Sequence, residues 1–204
     1  MTSTAATLLT LVWLAAGSGP AETHVLEGAR LFRENRFAEA LVEFRVAERL
    51  GAADARAYAA AALVKLDRPE DALELFEGSG GPAPGAHPLL DYYHALACYG
   101  ARLYRCADAL LAGVGERTGP RIAEQARQIR RDIAAAVPAE PPTDSVDWYL
   151  ARAAERAAAG KPVLARAFAA EARALGAGRA DRHGVAQAEA VLAKLPPSAA
   201  SPAP

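Results

Sequence analysis

Residues 22–50, ETHVLEGARLFRENRFAEALVEFRVAERL, constrain the fold more than any other stretch of the chain. Two amphipathic helical patterns stand back to back there, divided by a polar corner at Glu34-Asn35-Arg36. Val25, Gly28, Ala29 and Phe32 recur at helical spacing in the first, and Phe37, Ala40, Leu41, Phe44 and Ala47 in the second. Small residues alternate with large ones, so each helix can seat its large side chains in the gaps of the other. A pair this short cannot cover its own apolar faces and requires similar neighbours, which predicts copies further along the chain.

Segment 21–54 is similar to the tetratricopeptide repeat, a helix–turn–helix unit of about 34 residues. Gly28, Leu31, Ala40, Phe44 and Ala47 supply the family's small, large, small, aromatic and small residues in order. The segment departs from the pattern where His24 replaces a large aromatic and Ala52 a proline. A second copy comprises a mostly alanine helix from about Ala52 to Leu66, a corner at Asp67-Arg68-Pro69, and a helix Glu70–Glu77 bearing Ala72, Leu73 and Phe76. Ala40 and Ala72 are 32 residues apart (72 − 40), so this copy is slightly compressed. A third, His87 to Val114, places Tyr93, Leu96, Ala97 and Gly100 on its first helix, turns at Tyr104-Arg105, and sets Ala109 on a short second helix. A fourth pair, Asp144 to Leu175, is built on Trp148, Tyr149, Ala153, Ala165, Phe168 and Ala172, with a corner at Gly160-Lys161-Pro162.

Between the third and fourth pairs, Ile122, Ala126, Ile129 and Ile133 mark one stripe of a helix from Gly119-Pro120 to about Ala136. Arg121, Arg127, Arg130 and Arg131 form its opposite face, which reads as solvated. A last helix, about Ala180 to Leu195, has the single apolar face of a terminal cap. The resemblance implies an all-α, right-handed α–α superhelix of about ten helices in antiparallel pairs. Its divisions are 1–21, 22–78 (two repeats), a Gly/Pro-rich loop at 79–86, 87–137 (a repeat plus an extra helix), a Pro-rich linker at 138–143, 144–195 (a pair and a cap), and a tail at 196–204. Residues 1–21 carry an apolar run over Ala5–Ala16 and then small residues, the pattern of a secretory signal peptide. It predicts export to the periplasm, with membrane contact only through this segment if it stays uncleaved; the alternative is a cytoplasmic protein in which the run is an extra capping helix.

Composition agrees with helix. Apolar residues make up 52% of the chain, alanine leads them, and aromatics are only 6%. A net charge of −1 gives no electrostatic reason to expect nucleic acid or an anionic membrane as partner. The chain has no nucleophile elbow, phosphate-binding loop or His-Glu-x-x-His, and His24, His87, His94 and His183 are scattered. No catalytic residue, metal site, cofactor or small-molecule substrate is therefore expected. Cys98 and Cys106 are the two cysteines. They form either a disulfide, stapling the pair with the shortest second helix, or two buried thiols; the repeat template separates the sites along the helix axis, and bridging requires Cα atoms within about 7 Å.

The resemblance also implies where a protein or peptide partner would dock. The family's groove-lining places carry Glu22, Val25, Ala29, Arg33, Asp54, Lys65, Asp91, His94 and Arg102, with acids (Glu22, Asp54, Asp91) along one rim and bases (Arg33, Lys65, Arg102) along the other. Acids at helix starts and bases at helix ends are also what the helix dipole favours. The floor places Val25, Ala29, Ala57, Ala61, His94 and Cys98 lack the Lys and Asn with which chaperone-tail binders of the family hold a terminal carboxylate. An apolar floor suits an extended or helical peptide better. A structural subunit held by its convex or terminal surfaces is the rival reading, and a helical enzyme the third.

Overall fold

The structure, a computed structural model, describes residues 19–52, 54–78, 87–114, 118–139 and 145–196. Most of the expected signal segment, the 79–86 loop, most of the linker and the tail lie outside the described residues. Ten helices and no strand occur among the described residues: α1 (Pro20–Arg33), α2 (Phe37–Arg49), α3 (Ala55–Lys65), α4 (Pro69–Phe76), α5 (Pro88–Gly100), α6 (Tyr104–Val114), α7 (Pro120–Ala139), α8 (Val146–Ala158), α9 (Pro162–Gly178) and α10 (Arg182–Lys194). Helices adjacent in sequence pack on one another, α7 and α8 excepted, so the chain is an all-α solenoid. α1 begins at Pro20, two residues before the expected boundary. α7 runs on through Ala139, across the start of the expected linker.

Local chemistry explains where the helices begin and end. α1, α4, α5, α7 and α9 each open with proline, whose fixed φ suits a first turn and whose missing N–H is not needed there. Ser145 Oγ accepts from the Trp148 N–H (3.0 Å) and Asp181 Oδ1 from the Gly184 N–H (2.9 Å), capping α8 and α10. Five corners share one geometry: a helix end, a residue at positive φ, one further residue, then the next helix. The positive-φ residues are Asn35, Asp67, Arg102, Gly160 and Ala180. In each case the following N–H reaches back across the helix end: Arg36 to Leu31 O (3.0 Å), Arg68 to Leu63 O (3.0 Å), Leu103 to Cys98 O (2.8 Å), Lys161 to Arg156 O (2.9 Å) and Asp181 to Gly176 O (2.9 Å). Left-handed backbone costs about 1–2 kcal/mol at a residue with a Cβ, and these bonds hold it in place.

The corners correct the third unit. Its turn lies at Ala101-Arg102-Leu103, not at Tyr104-Arg105, so the register expected from Tyr93 and Ala109 is displaced by two residues. Aligned on the corners, Ala40, Ala72, Ala107 and Ala165 are equivalent, and all four are fully buried; Ala109 is exposed. Nor is α6 the shortest second helix, since it has 11 residues against 8 in α4.

Alanine does most of the filling. Seven residues of α3 are buried, six of them alanine, so this helix is enclosed between α2 on one side and α4 and α5 on the other. Gly28 serves the same close packing: a Cβ there would lie 2.6 Å from the buried Phe44 ring. Gly28→Ala gains about 1 kcal/mol in helix propensity but overpacks by about 1–3 kcal/mol, so urea denaturation is expected to show a net loss near 1 kcal/mol. A stability gain would mean that the Phe44 ring yields freely.

The last three helices do not simply extend the row. α9 touches both α4 and α6. Arg156 Nη2 pairs with Glu70 Oε1 at 2.5 Å, Lys161 Nζ approaches Asp71 and Glu74 at 3.8 and 3.6 Å, and the Tyr149 hydroxyl donates to Arg102 O at 2.7 Å. Glu171 of α9, only 4% exposed, accepts the Arg105 N–H (2.6 Å) and the Cys106 N–H (3.1 Å). A carboxylate from 66 positions away thus caps α6, whose own sequence supplies none.

Candidate partner-binding groove

The first helices of the first three pairs, α1, α3 and α5, enclose a cleft of about 370 Å³. Ala29, Phe32 and Arg33 come from α1, Tyr58 and Ala61 from α3, and Leu89, Leu90 and Tyr93 from α5; the Phe44 ring of α2 closes its base, and His87 stands just ahead of α5. Alanines at 29 and 61 make the space, because a larger side chain at either place would project into it. Aromatic contacts hold the walls. Phe32 meets Phe37 edge-on at 5.1 Å and Tyr93 at 5.7 Å, and Phe44 lies 5.5 Å from Tyr58. Burial raises the Tyr58 phenol above its ordinary value, aided by the Asp54 charge, and raises Tyr93, aided by neighbouring Tyr92. Both are neutral donors at physiological pH.

Charges sit at the margins. Lys65 Nζ lies 5.8 Å from the Phe37 ring centre and 5.9 Å from that of Tyr93, a cation over two aromatic faces beside the cleft. Arg33 is exposed at the end of α1, while Asp54 precedes α3 and approaches His87 Nε2 at 4.0 Å. Glu22 is exposed in the first turn of α1 and Val25 is half-buried one turn before Ala29.

Of the expected groove residues, Ala29 and Arg33 line this cleft and Lys65 flanks it; the three drawn from the third unit do not line it. Asp91 is half-buried on α5 away from it, and Arg102 lines a separate cleft of about 500 Å³ with Trp148, Arg152 and Phe168. His94 turns towards α4: its ring stacks on Phe76 at 4.7 Å, and its Nε2 lies 2.8 Å from Glu77 Oε1. The displaced register is part of the cause: moved back by two residues, the three places carry Leu89, Tyr92 and Gly100, and of these Leu89 lines the cleft, beside Leu90 and Tyr93. The basic face of α7 is largely balanced from within. Arg127 and Arg131 both reach Glu124, at 2.6 and 3.1 Å, and Arg130 pairs with Asp108 at 2.6 Å. Those hydrogen bonds, Arg127's first, hold the Glu124 carboxyl below its usual range.

Cys98 and Cys106 are joined as a disulfide, with Cα atoms 6.0 Å apart. Glu171 holds the second of them by its N–H, which ties the start of α6 to α9. No helix among the described residues is long and apolar enough to cross a membrane. No family model, curated protein or solved structure matches the chain.

Proposed function

We propose that this chain is a non-catalytic interaction protein, related to the tetratricopeptide repeats, which docks an apolar peptide segment of a protein partner in the cleft between α1, α3 and α5. The carrying observation is an apolar, aromatic-walled cleft with Arg33 and Lys65 at its margin. Such a surface takes a helical or extended segment by its large side chains, and the cations select one with acidic residues beside them. The Schellman-type corners and the fully buried alanine at one equivalent place in every pair support the relation to that repeat family. The disulfide fits an exported, periplasmic protein, and the pattern of residues 1–21 carries the rest of that assignment.

Photo-crosslinking in the native cell tests this. A crosslinking amino acid at Leu89, which is 48% exposed at the cleft, is expected to trap the partner, while one at Val42, 59% exposed on α2, is not. Arg33→Glu with Lys65→Glu should reduce capture at Leu89 about tenfold or more. Trapping from Val42, with Leu89 silent, would instead make the chain a structural subunit held by its outer surface.

A further inference from the structure

Beside the groove, on the face of α5 turned towards α4 and α6, three side chains converge that no interaction role uses. One ring nitrogen of His94 and the sulfurs of Cys98 and Cys106 all lie within 4.8 Å of one another. His94 and Cys98 are four apart on α5 and so share one helix face, and Cys106 comes from the first turn of α6. The enclosure is of metal-site character: Cys98 is fully buried, the His94 side chain is 15% exposed, and the buried Nε2 has no aligned hydrogen bond although Glu77 Oε1 stands 2.8 Å away. One carboxylate stands at the edge of the cluster, Glu77 after α4 beside the His94 ring, while Glu171 holds the Cys106 N–H from α9.

We propose that His94, Cys98 and Cys106 form a zinc site in the reduced protein, and that the disulfide is the metal-free state of the same site. Two thiolates and one imidazole are a borderline-soft donor set that suits Zn²⁺, and a water takes the fourth position of a tetrahedron. In the oxidised chain the sulfur electron pairs are committed to the S–S bond, and the protein binds no zinc. A thiol reductant opens the site. Its thiolate attacks the half-buried Cys106 sulfur, the S–S bond breaks, and Cys98 leaves as the thiolate. A second reductant thiol resolves the mixed disulfide, so two thiols become one small-molecule disulfide and the protein gains two electrons and two protons. Zn²⁺ then displaces those two protons as it binds both sulfurs. Glu77 orients the ring in both states, as carboxylates beside metal-bound histidines do.

The full chain, reduced with dithiothreitol and freed of it under anaerobic conditions, is titrated with Co²⁺ as a spectroscopic probe and then with Zn²⁺ in competition with a chromophoric chelator. One equivalent of Co²⁺ is expected, with the sulfur-to-metal charge-transfer and visible bands of a tetrahedral thiolate site, and zinc is expected to displace it. The oxidised chain should show neither. His94→Gln should weaken zinc binding at least tenfold, and Cys98→Ala with Cys106→Ala should abolish it, while far-ultraviolet circular dichroism confirms that each variant keeps its helices. Equal binding by oxidised and reduced protein, no uptake by the reduced protein beyond that of the double cysteine variant, or unchanged affinity in His94→Gln would each overturn the proposal. The last outcome would leave only a dithiol with incidental affinity.

Discussion

Phe168→Ala is expected to cost about 3–5 kcal/mol, the usual range for emptying a fully buried aromatic site. Phe168 is 2% exposed and stands where the last helices gather, with its ring 6.2 Å from Trp148 and 6.5 Å from Tyr149. Its loss opens a void between α8 and α9, which the packed Trp148 and Tyr149 rings close only by leaving their own places. Stability in a stacked helical array is the sum of each unit and its contacts with neighbours, so the damage should fall unevenly. Hydrogen exchange is expected to accelerate first in α8, α9 and α10, with α1 to α3 keeping most of their protection. A loss below about 1 kcal/mol would show that the Trp148 and Tyr149 rings move in to fill the space.

The second large effect belongs to Glu171. Removing it by Glu171→Ala leaves the Arg105 and Cys106 N–H groups without their acceptor at a buried helix start, with an expected loss of about 2–4 kcal/mol. Glu171→Gln keeps one carbonyl acceptor but turns an NH₂ group towards the second donor, so it should fall between alanine and the native chain. Acidity separates the roles of charge and shape. Burial pushes the Glu171 carboxyl above its ordinary value, against the pull of the two backbone donors and the Arg105 charge. The folded protein therefore holds the proton more tightly than the unfolded one does. The stabilisation this gives is absent above the folded value, grows as pH falls through it, and is complete below the ordinary carboxylate value. The native chain should accordingly gain on Glu171→Gln between about pH 7 and about pH 4, measured as the difference in urea midpoint. A constant difference would mean that the carboxyl titrates alike in both states.

What is legible in the sequence is carried by periodicity. The helix pairs of the first two units follow from Gly28, Leu31, Ala40 and Phe44 and from Ala72, Leu73 and Phe76, because a 3.6-residue period is visible even when most of its members are alanine. Corners were legible where a residue advertised left-handed backbone or a helix start: Asn35, the Asp67-Arg68-Pro69 run, and Gly160-Lys161-Pro162. Arg102 advertises neither, yet it adopts φ +64. That silence moved the expected corner two residues along and carried Asp91, His94 and Arg102 into a groove that Leu89, Leu90 and Tyr93 occupy. His94 and Cys98 stand four residues apart, on one helix face, and that spacing is the sequence signal that points to the cluster beside the disulfide. Glu171 had no such signature. A cap donated from a helix 66 positions away is fixed by how α9 lies across α6, which no local pattern encodes.

That crossing of α9 gives the molecule a mechanical asymmetry. At the C-terminal end, Arg156 with Glu70, Tyr149 with the Arg102 carbonyl, and Glu171 with the head of α6 act as cross-braces between non-adjacent layers, so this end resists shear much as a triangulated truss does. At the other end, α1 is joined chiefly to α2, and beyond it mainly through the Phe32–Tyr93 edge contact that also walls the cleft. The chain is thus a cantilever, anchored at α4, α6 and α9 and compliant at α1. The compliant part is one jaw of the cleft, so the width of the cleft can be set by what lies in it.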